Sequence, residues 1–208
     1  MAGIIRLYES FRESLKENQD EIAVLLMSGL IENYFLYKFA SHVHETDPNL
    51  LVITNCGLKK QQKIDAAIAK GNYIKALIEF KHLPNLSRSI YKKSQYDISG
   101  PLNKLSEQVR LVSKKRKTGG YHKLRLWSKN RYVYGLVIAS YVRPEEEEDK
   151  AEVHYKKIEA YRPKKAKYLK YYDGWVPKLD KENLVDTSVN ALGTEYKVTL
   201  RTGIWVPE

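Results

Sequence analysis

A β-hairpin predicted between residues 63 and 82 constrains the fold more than any other stretch of this sequence. Two short apolar and β-branched runs, 64–68 and 73–80, flank Gly71 and Asn72. Both of these residues are turn formers that tolerate a positive φ. The pattern therefore predicts two adjacent antiparallel strands joined by a tight turn.

The register of this hairpin predicts which side chains share a face. A three-residue loop, 71–73, would place Lys70 opposite Ile74, and the same register would pair Asp65 with Glu79. Because side chains alternate along a strand, the even-numbered positions would form one apolar face. We expect that face to pack on the core; it contains Ile64, Ala66, Ile68, Ile74, Ala76, Ile78 and Phe80.

The opposite face of the predicted hairpin brings together Asp65, Glu79 and Lys81. Mg²⁺ is usually held by one or two carboxylates together with water and substrate phosphate. A lysine beside the ion can hold the attacking water and offset the negative charge that develops on a reacting phosphate. These residue types predict phosphodiester hydrolysis. The alternative is that the three residues form the solvated side of an amphipathic strand pair.

Asp65, followed fourteen residues later by Glu79-Phe80-Lys81 in an IEFK strand, resembles the active-site motif of the PD-(D/E)XK nuclease superfamily, in its D…ExK form. The resemblance implies an α/β fold with a restriction-endonuclease-like αβββαβ core, in which helices flank a central mixed sheet. It also implies Mg²⁺-dependent cleavage of DNA, less often RNA, with Mn²⁺ as a substitute. Asp65, Glu79 and the Phe80 carbonyl would be the metal ligands, and Lys81 would position water. Ile64 replaces the proline that names the family.

A long helix is predicted over residues 20–43, with Asn18 or Asp20 as its N-terminal cap. Its many apolar residues indicate burial on most sides. Glu32 is an exception on this mainly apolar surface. Members of the superfamily often carry a glutamate on the first core helix that reaches the metal site, so the resemblance implies a catalytic role for Glu32. An exposed polar helix position is the alternative.

The remaining elements of the predicted core lie on both sides of the hairpin. Apolar residues at helical spacing predict an amphipathic helix over 3–17, packed on the domain, with a dimer arm and hence a homodimer as the alternative. Strands are predicted at 50–54, which residues 55–57 would end, and at 131–140. A helix predicted over 101–115 would pack on the same sheet.

The charge of the chain predicts a polyanionic partner. Lys and Arg outnumber Asp and Glu by 36 to 25, which gives a formal net charge of +11, and sixteen tyrosines could stack on bases. A long loop is predicted over 82–100, directly after Lys81. Solvated surface charge is the common alternative for each basic group. The candidate contacts to DNA are Lys63, Arg88, Tyr91, Lys92, Lys93, Lys114, Lys115, Arg116 and Lys117.

Length and composition indicate one domain, with a nuclease-like core at 1–162 and a basic, aromatic elaboration at 163–208 packed on it. The single cysteine, Cys56, favours a reducing, cytoplasmic location and argues against a multi-cysteine zinc site. We expect no membrane association, because no apolar run approaches the length of a span. Phosphate-binding glycine loops and nucleophilic serine motifs do not occur either.

Two further function classes stay open beside the nuclease. A non-catalytic nucleic-acid-binding protein could use the same basic surface, and a structural subunit could use it to meet an acidic protein partner. The presence of Asp65, Glu79 and Lys81 together favours the enzyme.

Overall fold

The computed structural model describes residues 2–59, 62–86, 125–126, 132–144, 150–160 and 178–205. Within them the protein is a mixed α/β structure, with eight strands in one mixed sheet and helices on both faces. The predicted α/β class with a central mixed sheet is therefore confirmed. In the described part of the chain, no helix is long and apolar enough to cross a membrane.

The described residues contain four α-helices, one short 3₁₀ helix and eight strands. The helices are α1 (Ala2–Leu15), α2 (Gln19–Ser28), α3 (Ile31–Thr46) and α4 (Ala151–Glu159), and a short 3₁₀ helix, Lys16–Asn18, joins the first two. The strands are β1 (Leu50–Lys59), β2 (Gln62–Lys70), β3 (Tyr73–Leu86), β4 (Arg125–Leu126), β5 (Tyr132–Pro144), β6 (Lys178–Leu179), β7 (Val185–Ala191) and β8 (Thr194–Trp205).

The sheet has the strand order β1-β2-β3-β5-β8-β6, with β4 beside β3 and β7 beside β8. The first three strands form an antiparallel meander. The next long strand, β5, runs parallel to β3, and β8 runs antiparallel to β5. Strands from 178–205 thus belong to the same sheet as the predicted hairpin.

Each face of the sheet is covered by its own apolar cluster. Phe80 and its even-numbered neighbours on β3 pack against α1, α2 and α3, where the rings of Phe80 and Phe39 lie 5.8 Å apart. Phe11 of α1 in turn meets Phe39 edge to face at 5.2 Å, so the predicted packing of the first helix on the domain is confirmed. On the opposite face, α4 packs through Tyr155 against β5.

The predicted hairpin register is correct from Ala66 to Ile68 and wrong at the turn, and the ladder ends before the predicted pair of Asp65 with Glu79. Ala66 pairs with Ile78 and Ile68 with Ala76, as predicted. Lys70, however, pairs with Tyr73, so the turn has two residues instead of three. A register shift beyond Ile68 accommodates the extra residue of β3. Ile74 consequently packs on the α4 side of the sheet and not with the even-numbered face.

A second irregularity occurs where β1 pairs with β2, around Asn55 of β1. The predicted end of the first strand at 55–57 is wrong, because β1 continues to Lys59. Asn55 has a φ of 50°, in the left-handed region, and the strand proceeds beyond it. Ile64 packs with the α4-side cluster, although the alternation predicted it on the opposite face.

Three other boundaries differ from the sequence prediction. The long helix over 20–43 is two helices, because Gly29 adopts a φ of 75° and ends α2 with its backbone. Asn18 lies at the N-cap of α2 but makes no capping hydrogen bond through its side chain. β3 runs to Leu86, so the loop predicted from residue 82 does not start there. The helix predicted over 101–115 lies outside the described residues.

Candidate active site

The strands of the predicted hairpin separate at Asp65. β2 pairs with β3 from the turn up to Ala66 and Ile78, whereas β3 remains paired with β5 as far as Leu86. Beyond Ile78, no strand in the described part of the chain pairs with the edge of β3 that faced β2. Backbone N–H groups on such an edge need other acceptors, because an unpaired buried N–H group is costly.

Carboxylates supply those acceptors. The Phe80 N–H group donates to Oδ2 of Asp65 at 2.8 Å, and the His82 N–H group donates to Oε1 of Glu32 at 2.5 Å. The Asp65 N–H group donates to Oε2 of Glu79 at 3.3 Å. Three acidic side chains therefore converge on the point where β2 leaves β3, and backbone donors fix each of them in place.

Asp65 and Glu79 form a close carboxyl pair. The Asp65 N–H group donates to the Glu79 carboxylate, and Glu79 is only 3% exposed. Burial raises the pKa of the Asp65 carboxyl, while the bond from Phe80 and the charge of Lys81 act in the opposite direction. Two carboxylates this close repel each other when both are ionised, so the pair favours either a shared proton or a bound cation.

Lys81 supplies positive charge at the same place. Its Nζ atom lies 3.9 Å from Oε1 of Glu32, and its charge partly opposes the rise in the pKa of Asp65 that burial causes. The Lys81 side chain is 21% exposed, so it is partly shielded yet open to an incoming molecule. Glu32, at the start of α3, holds the lysine from the helical layer.

The structure thus brings together four of the predicted site residues, Asp65, Glu79, Lys81 and Glu32, with the backbone of Phe80. The Phe80 side chain is buried in the core. Lys63 lies on β2, and the description of this position is limited to its backbone. The other predicted DNA contacts lie outside the described residues; they are Arg88, Tyr91, Lys92, Lys93, Lys114, Lys115, Arg116 and Lys117.

The donor set suits a hard cation better than zinc. Among the described residues, no group of three or more His, Cys, Asp and Glu side chains is arranged to hold a metal ion. Mg²⁺ does not need such a group, because it commonly takes one or two protein carboxylates and completes its shell with water and phosphate oxygen. The Asp65 and Glu79 pair fits that requirement, and the Phe80 carbonyl as a further ligand stays a prediction.

Two histidines lie next to the site, the partly buried His82 and the buried His154. Nε2 of His82 is 2.7 Å from Oγ of Ser140, and His154 donates from Nε2 to the Leu83 carbonyl at 3.2 Å. Burial is the main cause that lowers the pKa of each histidine to about 4. Both rings are therefore neutral near pH 7, so His82 contacts Ser140 of β5 and adds no positive charge beside Lys81.

The sequence analysis did not predict that His154 packs beside the site and donates to the Leu83 carbonyl. The residue follows Ala151 by three positions on α4 and precedes Ile158 by four, and all three are buried on the face that meets the sheet. This i, i+3, i+7 spacing was the signal in the sequence that places a histidine on an apolar helix face.

Comparisons of the whole chain with protein-family profiles, with curated proteins and with solved structures gave no match.

Proposed function

We propose that the protein is a Mg²⁺-dependent nuclease that hydrolyses DNA phosphodiester bonds, acting as an endonuclease. The observation that carries the proposal is the carboxyl pair of Asp65 and Glu79 at the strand split, with Lys81 beside it. A reacting phosphodiester needs a cation that bridges it to the protein and a positive group near the developing charge. The carboxyl pair can hold the cation, and Lys81 can supply the positive group.

The order of secondary structure supports the same proposal. Helix α3 precedes the meander β1-β2-β3, and β5 then lies parallel to β3. Asp65 is on the second of these strands, and Glu79 and Lys81 are on the third. This is the arrangement implied by the resemblance to the restriction-endonuclease-like core. The crossover helix of that core would fall at the predicted helix 101–115.

Each residue has a distinct role in the proposed reaction. Asp65 and Glu79 would hold Mg²⁺, which when bound polarises the phosphoryl oxygen and makes water more acidic. Backbone N–H groups of Phe80 and Asp65 fix the orientation of the two carboxylates before substrate arrives. Lys81 orients the attacking water and offsets charge on the phosphate, and Glu32 restrains the lysine.

The net charge of +11 supports nucleic acid as the substrate class. An anionic phosphate approaches an acidic pair only when positive charge surrounds it or a cation neutralises the pair. Basic residues on the rest of the surface would supply the affinity, and the carboxyl pair would supply the chemistry.

The proposal is tested by incubating the purified protein with supercoiled plasmid, linear duplex DNA and RNA, each with Mg²⁺, with Mn²⁺ or with EDTA. Nicking or linearisation of the plasmid with either metal ion, and none in EDTA, is the expected result. Cleavage of RNA alone would change the substrate class. Intact nucleic acid under every metal condition would contradict the proposed activity.

A non-catalytic DNA-binding protein is the second candidate, and one observation favours it. Asp65, Glu79 and Glu32 each accept a backbone hydrogen bond at the strand split, so a structural role alone can account for their presence. In that case DNA would bind with the same salt dependence but stay intact in Mg²⁺.

A further inference from the structure

Asn55 has a backbone conformation that the interior of a strand rarely contains. Its φ of 50° lies in the left-handed region, which non-glycine residues seldom adopt, although asparagine tolerates it better than most. The residue is not at a turn, since β1 extends from Leu50 to Lys59. Its side chain is exposed, so burial of the amide does not explain the conformation.

Asn55 faces Asp65 across the β1–β2 ladder. Thr54 pairs with Ala66 on one side of this position and Cys56 pairs with Ile64 on the other, while the step between them carries no ladder pair. The left-handed residue is therefore directly opposite the acid of the candidate active site.

At this step, the side chains of both strands change the face of the sheet to which they point. Ala67 and Ile64 are three residues apart on β2, yet both pack with the α4-side cluster. Residues three apart on a regular strand point to opposite faces. The β1–β2 ribbon must consequently twist over at the Asn55–Asp65 step, which is also where β2 separates from β3.

We infer that Asn55 is a positioning residue for Asp65. Its left-handed backbone holds the twist that turns β2 away from β3 and directs the Asp65 carboxylate to the Phe80 N–H group, beside Glu79. Strain of this kind at a site, and not elsewhere in the strand, indicates a functional constraint. The inference deepens the proposed function, because Asp65 is one of the two proposed metal ligands.

Substitutions at Asn55 separate the backbone from the side chain. Asn55→Gly removes the amide but accepts a positive φ freely, so it should keep the twist. Asn55→Val opposes a positive φ most strongly, and Asn55→Ala should lie between the two. Leu192, at the exposed β7–β8 turn with a φ of 53°, provides the matched control Leu192→Val, which strains the backbone far from Asp65 along the sheet.

The first readout needs neither metal nor nuclease activity. Hydrogen exchange of the Phe80 amide, followed by NMR, reports its bond to Asp65. We expect wild type, Asn55→Gly and Leu192→Val to protect this amide equally. Exchange in Asn55→Val should be faster by about five- to thirtyfold, the factor that corresponds to the penalty of a left-handed backbone. Asn55→Ala gives a smaller change in the same direction, and serves if the valine variant does not fold.

The second readout is Mn²⁺ affinity, measured from the electron paramagnetic resonance signal of the free ion. Asn55→Gly should bind Mn²⁺ like wild type, and Asn55→Val and Asn55→Ala should bind it more weakly in the same order as their Phe80 exchange rates. Wild-type protein that binds no Mn²⁺ but shows the expected Phe80 pattern would overturn the metal site of the proposed function and support the positioning role. Two results would overturn the positioning role itself: wild-type Phe80 protection in both Asn55→Val and Asn55→Ala, or loss of protection in Asn55→Gly.

Discussion

Asp65 and Glu79 each combine a structural role with a proposed chemical one. Their carboxylates accept the Phe80 and Asp65 N–H groups, so truncation to alanine would leave backbone donors without acceptors as well as remove charge. A buried donor left in that state costs about 1 to 3 kcal/mol. Amide variants, which keep an acceptor oxygen and lose the charge, are therefore the informative substitutions at both positions.

At the residue scale, Lys81→Met should slow cleavage while leaving the fold intact. Methionine keeps much of the aliphatic stem and loses the positive charge next to the carboxyl pair. Loss of one charge-stabilising group near a reacting phosphate typically costs about 3 to 4 kcal/mol of barrier, or roughly a hundred- to a thousandfold in rate. The measurement is the single-turnover rate of plasmid cleavage in Mg²⁺.

Lys75→Met is the matched control for this substitution. Lys75 is on the same strand, with its Nζ atom 6.0 Å from the centre of the Tyr73 ring and at the turn end of the hairpin. Its replacement should leave the cleavage rate close to that of wild type. Equal rate losses in the two variants would mean that general surface charge, and not the position of Lys81, supports the reaction.

Asp65→Asn should make the metal-free fold more stable near neutral pH. Burial raises the folded-state pKa of Asp65 above its ordinary value of 3.8. The stability that this group contributes is fully present below pH 3.8 and is lost as pH rises through the folded-state pKa, because the native state holds the proton more tightly. The asparagine variant avoids this loss and keeps an acceptor for the Phe80 N–H group.

Thermal unfolding in EDTA at pH 7.5, with and without added Mg²⁺, tests this expectation. The midpoint of Asp65→Asn should exceed that of wild type in EDTA, and Mg²⁺ should raise the wild-type midpoint alone. A lower midpoint for Asp65→Asn in EDTA would mean that Asp65 stabilises the apo protein as a charged group, contrary to the direction of its pKa.

At the scale of secondary structure, the hairpin was predictable where its pattern was regular. Alternation of apolar residues and the Gly71-Asn72 turn gave the strands and the pairing of Ala66 with Ile78. The resemblance also implied that Glu32 reaches this site from a helix; the structure places its carboxylate on the His82 N–H group, and its catalytic role stays a prediction. Local pattern carried this information because each signal arises within a few neighbouring residues.

The irregular steps of the sheet could not be predicted in the same way. The register shift beyond Ile68 and the left-handed Asn55 depend on how three strands and two helical layers pack together. Each irregularity moves an apolar residue, Ile64 or Ile74, to the other face of the sheet. Because both faces are buried, the apolar character of these residues does not indicate which face they occupy. Alternation distinguishes faces only when one of them is polar.

His82 and His154 should make α4 and β3 sensitive to acid. Each has a pKa lowered to about 4, so the stability that depends on its neutral form is present above pH 6.5 and is lost as pH falls towards 4. A shift of this size corresponds to a contribution on the order of 3 kcal/mol for each group. His154 also bridges α4 to the Leu83 carbonyl of β3.

Chemical denaturation between pH 7 and pH 4 measures this effect. His154→Gln keeps a donor that can reach the Leu83 carbonyl but does not titrate, so its free energy of unfolding should fall less steeply with acid than that of wild type. His44→Gln replaces an exposed histidine on α3 and should leave the profile unchanged. Parallel profiles for His154→Gln and wild type would exclude His154 as a source of the acid sensitivity.

At the scale of the whole molecule, net positive charge should dominate affinity for DNA. Each phosphate that a basic residue neutralises contributes about 0.9 to the slope of log affinity against log salt concentration. Replacing Lys114, Lys115, Arg116 and Lys117 by alanine should flatten that slope by about 3 to 4, if all four residues contact phosphates. Titrations of a fluorescent duplex at several salt concentrations provide the measurement. An unchanged slope would move the contact surface to another part of the chain, with residues 163–172 as the next candidate.

In the proposed function, the carboxyl pair at the strand split performs metal-dependent phosphodiester hydrolysis while other parts of the molecule hold the DNA. The most direct measurement compares wild type with Glu79→Gln, by cleavage rate in Mg²⁺ and DNA affinity on the same samples. The variant keeps an acceptor for the Asp65 N–H group, so circular dichroism should find the fold intact. We predict a rate lower by about a hundredfold or more, with DNA affinity unchanged or slightly higher because a negative charge is removed. Cleavage at the wild-type rate by folded Glu79→Gln would contradict the account.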